Sequence, residues 1–90
     1  MYNLRFTSKI QRNIKLMKKR GKDLDKLKLV LNMLQKGQEL PAKYKDHSLS
    51  GNFTGCRECH IEPDWLLVYE IIDSELIILL LTTGSHSDLF

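Results

Sequence analysis

The apolar residues of this chain change their spacing near its middle, and that change restricts the possible fold more than any other feature. Ile10, Ile14 and Met17 recur at helical intervals, as do Leu24, Leu27, Val30, Leu31 and Leu34. Ser8 followed by Gln11 reads as a capping box, and Gly21 as a stop. Asp23 then caps a second helix, which Gly37 ends. Ahead of both, Tyr2, Leu4 and Phe6 alternate as a first strand. The second half follows strand rules. Gln38 to Ser50 is a loop with Pro41 that leads to a short strand near Leu49, and Gly51 and Gly55 bracket a turn. Cys56 to Glu62 alternates, Glu62-Pro63-Asp64-Trp65 turns, and Trp65 to Ile72 is rich in β-formers. Asp73-Ser74 reverses the chain into Glu75 to Thr82, the most apolar strand and one fit for the sheet centre. This order predicts an α+β fold, an N-terminal strand and two helices packed on a mainly antiparallel β-meander. Ninety residues supply one core, so 1–90 is read as a single domain.

Charge divides at the same place. Residues 1–45 carry 13 Lys/Arg against Asp23, Asp25 and Glu39, a balance of +10. Residues 46–90 carry Arg57 alone against eight acids, a balance of −7. A basic helical half suits a phosphate backbone, because each neutralised phosphate releases counterions. Lys15, Lys18, Lys19 and Lys22 lie largely off the apolar stripes and are read as the nucleic-acid face. Met1 to Phe6 holds no apolar signal stretch, and Leu76 to Leu81 is too short to span a bilayer. The expectation is a cytoplasmic protein with no membrane partner.

Cys56-Arg57-Glu58-Cys59-His60 matches the C-x-x-C-H pattern of haem attachment and half of a zinc site. No export signal supports haem, and no second C-x-x-C completes zinc. On a strand, residues three apart point to opposite faces, which is poor geometry for one shared site. Two reduced thiols are expected, with Cys59 in the core.

All three histidines lie in the acidic half, each beside a turn or chain end: His47 in Tyr44–Gly51, His60 before Pro63, His86 in Thr83–Phe90. Imidazole trades protons near neutral pH, so three of them beside a basic body point to RNA cleavage. With these motifs in this order, the whole chain resembles the YafQ-like branch of the RelE/ParE superfamily of type II toxins. The resemblance implies a messenger-RNA endonuclease acting in the A site of the small ribosomal subunit. It implies neutralisation by a cognate antitoxin, contact with operator DNA only through that antitoxin, and neither metal nor organic cofactor. His47, His60, Asp64, Trp65, His86 and Phe90 match positions of that branch's active site. One departure is visible: the arginine common just before the Thr-Gly-Ser/Thr-His motif is Thr82 here.

Cleavage through the 2′-hydroxyl needs a base, an acid and a donor for the phosphorane-like transition state. His86 is read as the acid, His60 or Asp64 as the base, and His47 as a phosphate donor. Lys45 or Arg57 stands in for the missing arginine. Trp65 either stacks on a base or packs in the core, and Phe90 either anchors the tail or lines the site. Two other readings remain open on sequence: a ParE-like toxin that blocks a protein such as DNA gyrase, and a weakened toxin retained as a co-repressor with its antitoxin.

Overall fold

In a computed structural model describing residues 1–90, the chain runs β1 (Asn3–Phe6), α1 (Ser8–Lys19), α2 (Leu24–Gln35), β2 (His47–Ser48), β3 (Arg57–Glu62), β4 (Trp65–Ile72), β5 (Ile77–Gly84) and α3 (His86–Leu89). The strands form one sheet in the order β1-β5-β4-β3-β2. β2 to β5 are an antiparallel meander, and β1 joins β5 in parallel. The α+β class is therefore as expected. The most apolar strand, β5, lies inside the sheet between β1 and β4, while the middle position belongs to β4.

Local chemistry sets the helix ends. The cap of α1 is Thr7 rather than Ser8: its hydroxyl accepts from the Ile10 amide. Asp23 caps α2 as expected, accepting from the Asp25 amide. Gly21 follows α1 at φ 81°, and Gly37 follows α2 at φ 71°, a left-handed conformation that costs glycine little. The expected strand near Leu49 begins two residues earlier, at His47, and Leu49 only extends it through one bond to the Cys56 carbonyl. Leu76 does not belong to β5. It closes a 3-10 turn over Asp73–Glu75 in a left-handed conformation.

Both helices cover one face of the sheet. Ile10 and Met17 from α1, with Leu27, Val30, Leu31 and Leu34 from α2, pack on Cys59, Ile61, Trp65, Leu67, Tyr69, Ile78 and Leu80. Burying each such large side chain contributes about 1.5–3 kcal/mol. Trp65 belongs to this core: it is fully buried, and its indole N–H donates to Thr83 Oγ1 at 2.9 Å. It presents no surface on which a base could stack, so its place among the RNA-contacting residues is withdrawn. Both thiols are free. Burial pushes Cys59 up to about 12, and burial followed by Glu70 raises Cys56. Neither is poised to react.

One irregularity decides which residues of β5 face away from the helices. β4 pairs Tyr69 with Leu80 but Val68 with Thr82, so Leu81 is an unpaired bulge. Strict alternation would place Thr82 with Ile78 and Leu80 toward the helices. The bulge instead sets it in a row with Val68, Glu58 and His47 on the opposite face. β1 stops at Phe6, and Asn13 of α1 serves the β5 edge beyond it. Its Oδ1 accepts from the Thr82 hydroxyl at 2.7 Å and the Thr83 amide at 3.3 Å.

Candidate active site

The face away from the helices carries two cross-strand rows. One is His47–Glu58–Val68–Thr82 and the next is His60–Leu66–Gly84, after which the chain turns into α3 and His86. Gly84 is required by a close approach: a Cβ there would lie 2.8 Å from Asp88 Oδ2. Without that side chain, α3 folds back against the strand end. Ser85 and Asp88 form a reciprocal capping box, and Arg20 grips both oxygens of Asp88 at 2.5 and 3.0 Å. The Arg20 guanidinium, with the Ser85 amide, holds the Asp88 carboxyl well below the usual carboxylate range. His86 is thus tied to α1 through its own short helix.

The three imidazoles form a row, with His60 in the middle. Ring centroids are 6.1 Å apart for His47 and His60, and 5.7 Å for His60 and His86. Each ring is fixed through Nδ1. His47 Nδ1 lies 2.6 Å from the Lys45 carbonyl, His60 Nδ1 3.3 Å from the Pro63 carbonyl, and His86 Nδ1 2.6 Å from Asp64 Oδ1. These oxygens can only accept, so Nδ1 carries the proton in every ring and Nε2 is left for chemistry. Asp64 also accepts the His86 amide at 2.8 Å. The backbone bond, followed by the ring bond, lowers the Asp64 pKa and keeps it an acceptor. Asp64 therefore orients His86 and is not free to serve as the base.

Sequence reasoning missed Glu58. Its carboxylate is buried on this face, with Oε1 3.5 Å from Nε2 of both His47 and His60. Its Oε2 has no hydrogen-bond partner. A buried carboxylate without hydrogen bonds is costly unless a cation stands beside it, and the imidazoles of His47 and His60 are the groups placed to supply one. The signal in the sequence was the two-residue spacing of Glu58 and His60, which places both on one face of a strand. His47, Glu58 and His60 also offer three ligand atoms within 4.8 Å of one another, a set able to hold a divalent ion.

The other expected site residues fall in different places. Arg57 is directed elsewhere: Nε and Nη2 bond Asp46 at 3.2 and 3.0 Å, and Nη1 bonds the Ser48 hydroxyl at 2.9 Å. Asp46 also accepts the Tyr69 hydroxyl, so the group anchors β2 rather than offering a cation to substrate. Lys45 stays beside His47. Phe90 is largely exposed and meets Phe53 edge-on at 5.8 Å, which ties the chain end to the turn before β3. Lys15, Lys18 and Lys19 are exposed, while Lys22 joins Lys26 on Glu62, each at 2.8 Å.

Residues 2–90 match the family described as the bacterial toxin of type II toxin–antitoxin systems, YafQ. The chain belongs to the YafQ toxin family. It is 38% identical over 89 residues to the mRNA interferase toxin YafQ of Escherichia coli K12, covering 98% of this chain and 95% of that one. A metal-bound toxin from Helicobacter pylori superposes with a TM-score of 0.94 at 42% identity, over 100% of both chains. The E. coli DinJ–YafQ complex gives 0.90 at 36% identity, over 100% of this chain and 99% of that one. As a family member the chain is a type II toxin. No helix is long and apolar enough to cross a membrane.

Proposed function

We propose that this YafQ-family toxin is an endoribonuclease that cuts messenger RNA on the ribosome, using imidazoles alone for the proton transfers. The observation that carries the proposal is the row of three histidines, each fixed through Nδ1, with Nε2 of His47 and His60 beside Glu58 and Nε2 of His86 free. In-line attack places the entering 2′-oxygen and the leaving 5′-oxygen on opposite sides of the phosphorus. The two proton-transferring nitrogens must then be the outer pair. His47 takes the 2′-hydroxyl proton and His86 protonates the 5′-oxygen. The P–O5′ bond breaks as the O2′–P bond forms, leaving a 2′,3′-cyclic phosphate and a 5′-hydroxyl. His60, between them and beside Glu58, faces the phosphate as an imidazolium. This revises the expected assignment of base from His60 or Asp64 to His47. Each proton-transferring group contributes about 10²–10⁴-fold.

The exposed lysines of α1 dock on ribosomal RNA phosphates. A cognate antitoxin is the second partner, as DinJ is for the E. coli relative. A divalent ion held by His47, Glu58 and His60 would occupy the nitrogens that the reaction uses, so on this reading metal is an inhibitor of the chain. Expression of the toxin alone, with mapping of new 5′ ends in cellular messages, tests the proposal. Cuts within translated frames that vanish with His86→Ala are expected. Growth arrest without new ends would overturn it in favour of a protein target.

A further inference from the structure

A groove of about 420 Å³ opens between α2 and the turn that precedes β2, and His60 lines it. We infer that this groove is a subsite for the nucleotide adjoining the scissile phosphate, an inference that rests on the ribonuclease reading. Its size falls within the range of small-ligand sites. Its walls have the two chemistries a nucleotide needs. Leu29 and Pro63 supply apolar surface, and Leu29 is 54% exposed on an otherwise polar side of α2. Lys43 and Lys45 supply ammonium groups, and neither forms an ion pair within the chain. Glu62, the one acid of the lining, is neutralised by Lys22 and Lys26, so the groove remains electropositive. A base lies on Leu29 and Pro63, and its phosphate takes Lys43 and Lys45.

The backbone joins this groove to the histidine row. Lys45 adopts φ 49° and ψ 42°, a left-handed conformation unfavourable for a residue with a side chain. That same residue offers its carbonyl to His47 Nδ1 at 2.6 Å. One strained position therefore sends an ammonium toward the groove and sets the ring of the proposed base. His60 connects them on the other side, because it lines the groove and stands between His47 and His86. A nucleotide seated here has its ester beside His60, the middle ring of the row.

The test uses the full chain. Amide NMR titrations with adenosine 3′-monophosphate are run on wild type, Lys43→Ala and Leu29→Asn, with inorganic phosphate as a second probe. Both positions are exposed, and melting curves establish that the variants fold. Shifts at Leu29, Lys43 and His60 are expected, with affinity about tenfold weaker in either variant. Inorganic phosphate should respond to Lys43→Ala and not to Leu29→Asn. In single-turnover cleavage on ribosomes, both variants should need more toxin for half-saturation and reach the wild-type rate at saturation. Shifts that bypass Leu29 and Lys43, or variants that bind and saturate like wild type, overturn the subsite and leave the nuclease reading standing. Nucleotide binding in the groove by a wild type that cuts no message supports the subsite and defeats the nuclease reading.

Discussion

Glu58→Gln should make the protein more stable and less active at once. Glu58 is 5% exposed, its Oε2 has no partner, and its nearest cationic candidates are imidazoles 3.5 Å away. The folded state therefore keeps a buried carboxylate oxygen without a hydrogen bond. Leaving such a group unsatisfied costs about 1–3 kcal/mol. Glutamine keeps the shape, removes the charge and can donate to an Nε2. The variant should gain about 1–3 kcal/mol, and each kcal/mol raises Tm by roughly 4–8 °C in a domain of this size. Activity moves the other way, because the carboxylate that holds protonated His60 against the phosphate is gone. A loss of about 10²-fold in single-turnover rate is expected. Thermal melts at pH 8 and cleavage of a ribosome-bound message read the two effects. A variant that is destabilised, or that cuts like wild type, refutes the reasoning that Glu58 is retained for the chemistry at a cost in stability.

Asp88→Asn tests the tether of the terminal helix. The Asp88 carboxyl is held below its ordinary value, so its stabilisation is present above about pH 4 and is lost as pH falls further. Wild type should lose stability on acidification below pH 4 or so, an effect weakened by salt, and acid titration of Asp88→Asn should lack that component. Thr82→Arg should raise the single-turnover rate, by roughly tenfold or more, because the bulge already places position 82 on the site face. It should lower stability by about 1–3 kcal/mol or more, because Thr82 is 3% exposed and its bond to Asn13 is lost, and an unchanged rate would show that no cation is wanting. Reversal of Lys15, Lys18 and Lys19 to Glu should flatten the salt dependence of ribosome binding by a slope of roughly 2–3, and an unchanged slope would mark them as solvated surface.

The helices were legible because their signals are local: apolar stripes, Asp23 as a cap, and glycines past each end. The meander was legible from alternation and from the Pro63 turn. The parallel pairing of β1 with β5 was not, since it joins Asn3 to Ile77 across most of the chain and no short-range pattern encodes it. Nor was the bulge at Leu81, where Asn13 of α1 bonds the β5 edge beyond the end of β1. That single extra residue moved Thr82 from the helix side to the site. His47, His60 and His86 were found because each sits beside a turn or chain end, Asp64 came from the family resemblance, and the fold brings all four together. Glu58 was read on the same strand face as His60 but given no role, because an acid on an alternating strand ordinarily faces water. Trp65 and Arg57 were misplaced because an aromatic or a guanidinium has the same appearance in sequence whether it meets solvent, a core or an internal carboxylate.

The central claim is metal-free cleavage through the 2′-hydroxyl by imidazoles presenting Nε2. Its most direct test is single-turnover cleavage, on purified ribosomes, of a message whose scissile nucleotide carries either a 2′-hydroxyl or a 2′-hydrogen. A chelator selective for transition metals, which spares ribosomal magnesium, is present throughout. The all-ribose message should be cut at full rate to give a 2′,3′-cyclic phosphate and a 5′-hydroxyl, and the 2′-deoxy message should remain intact. Cutting of the 2′-deoxy message, a 5′-phosphate on the product, or loss of cleavage with the chelator would contradict the account.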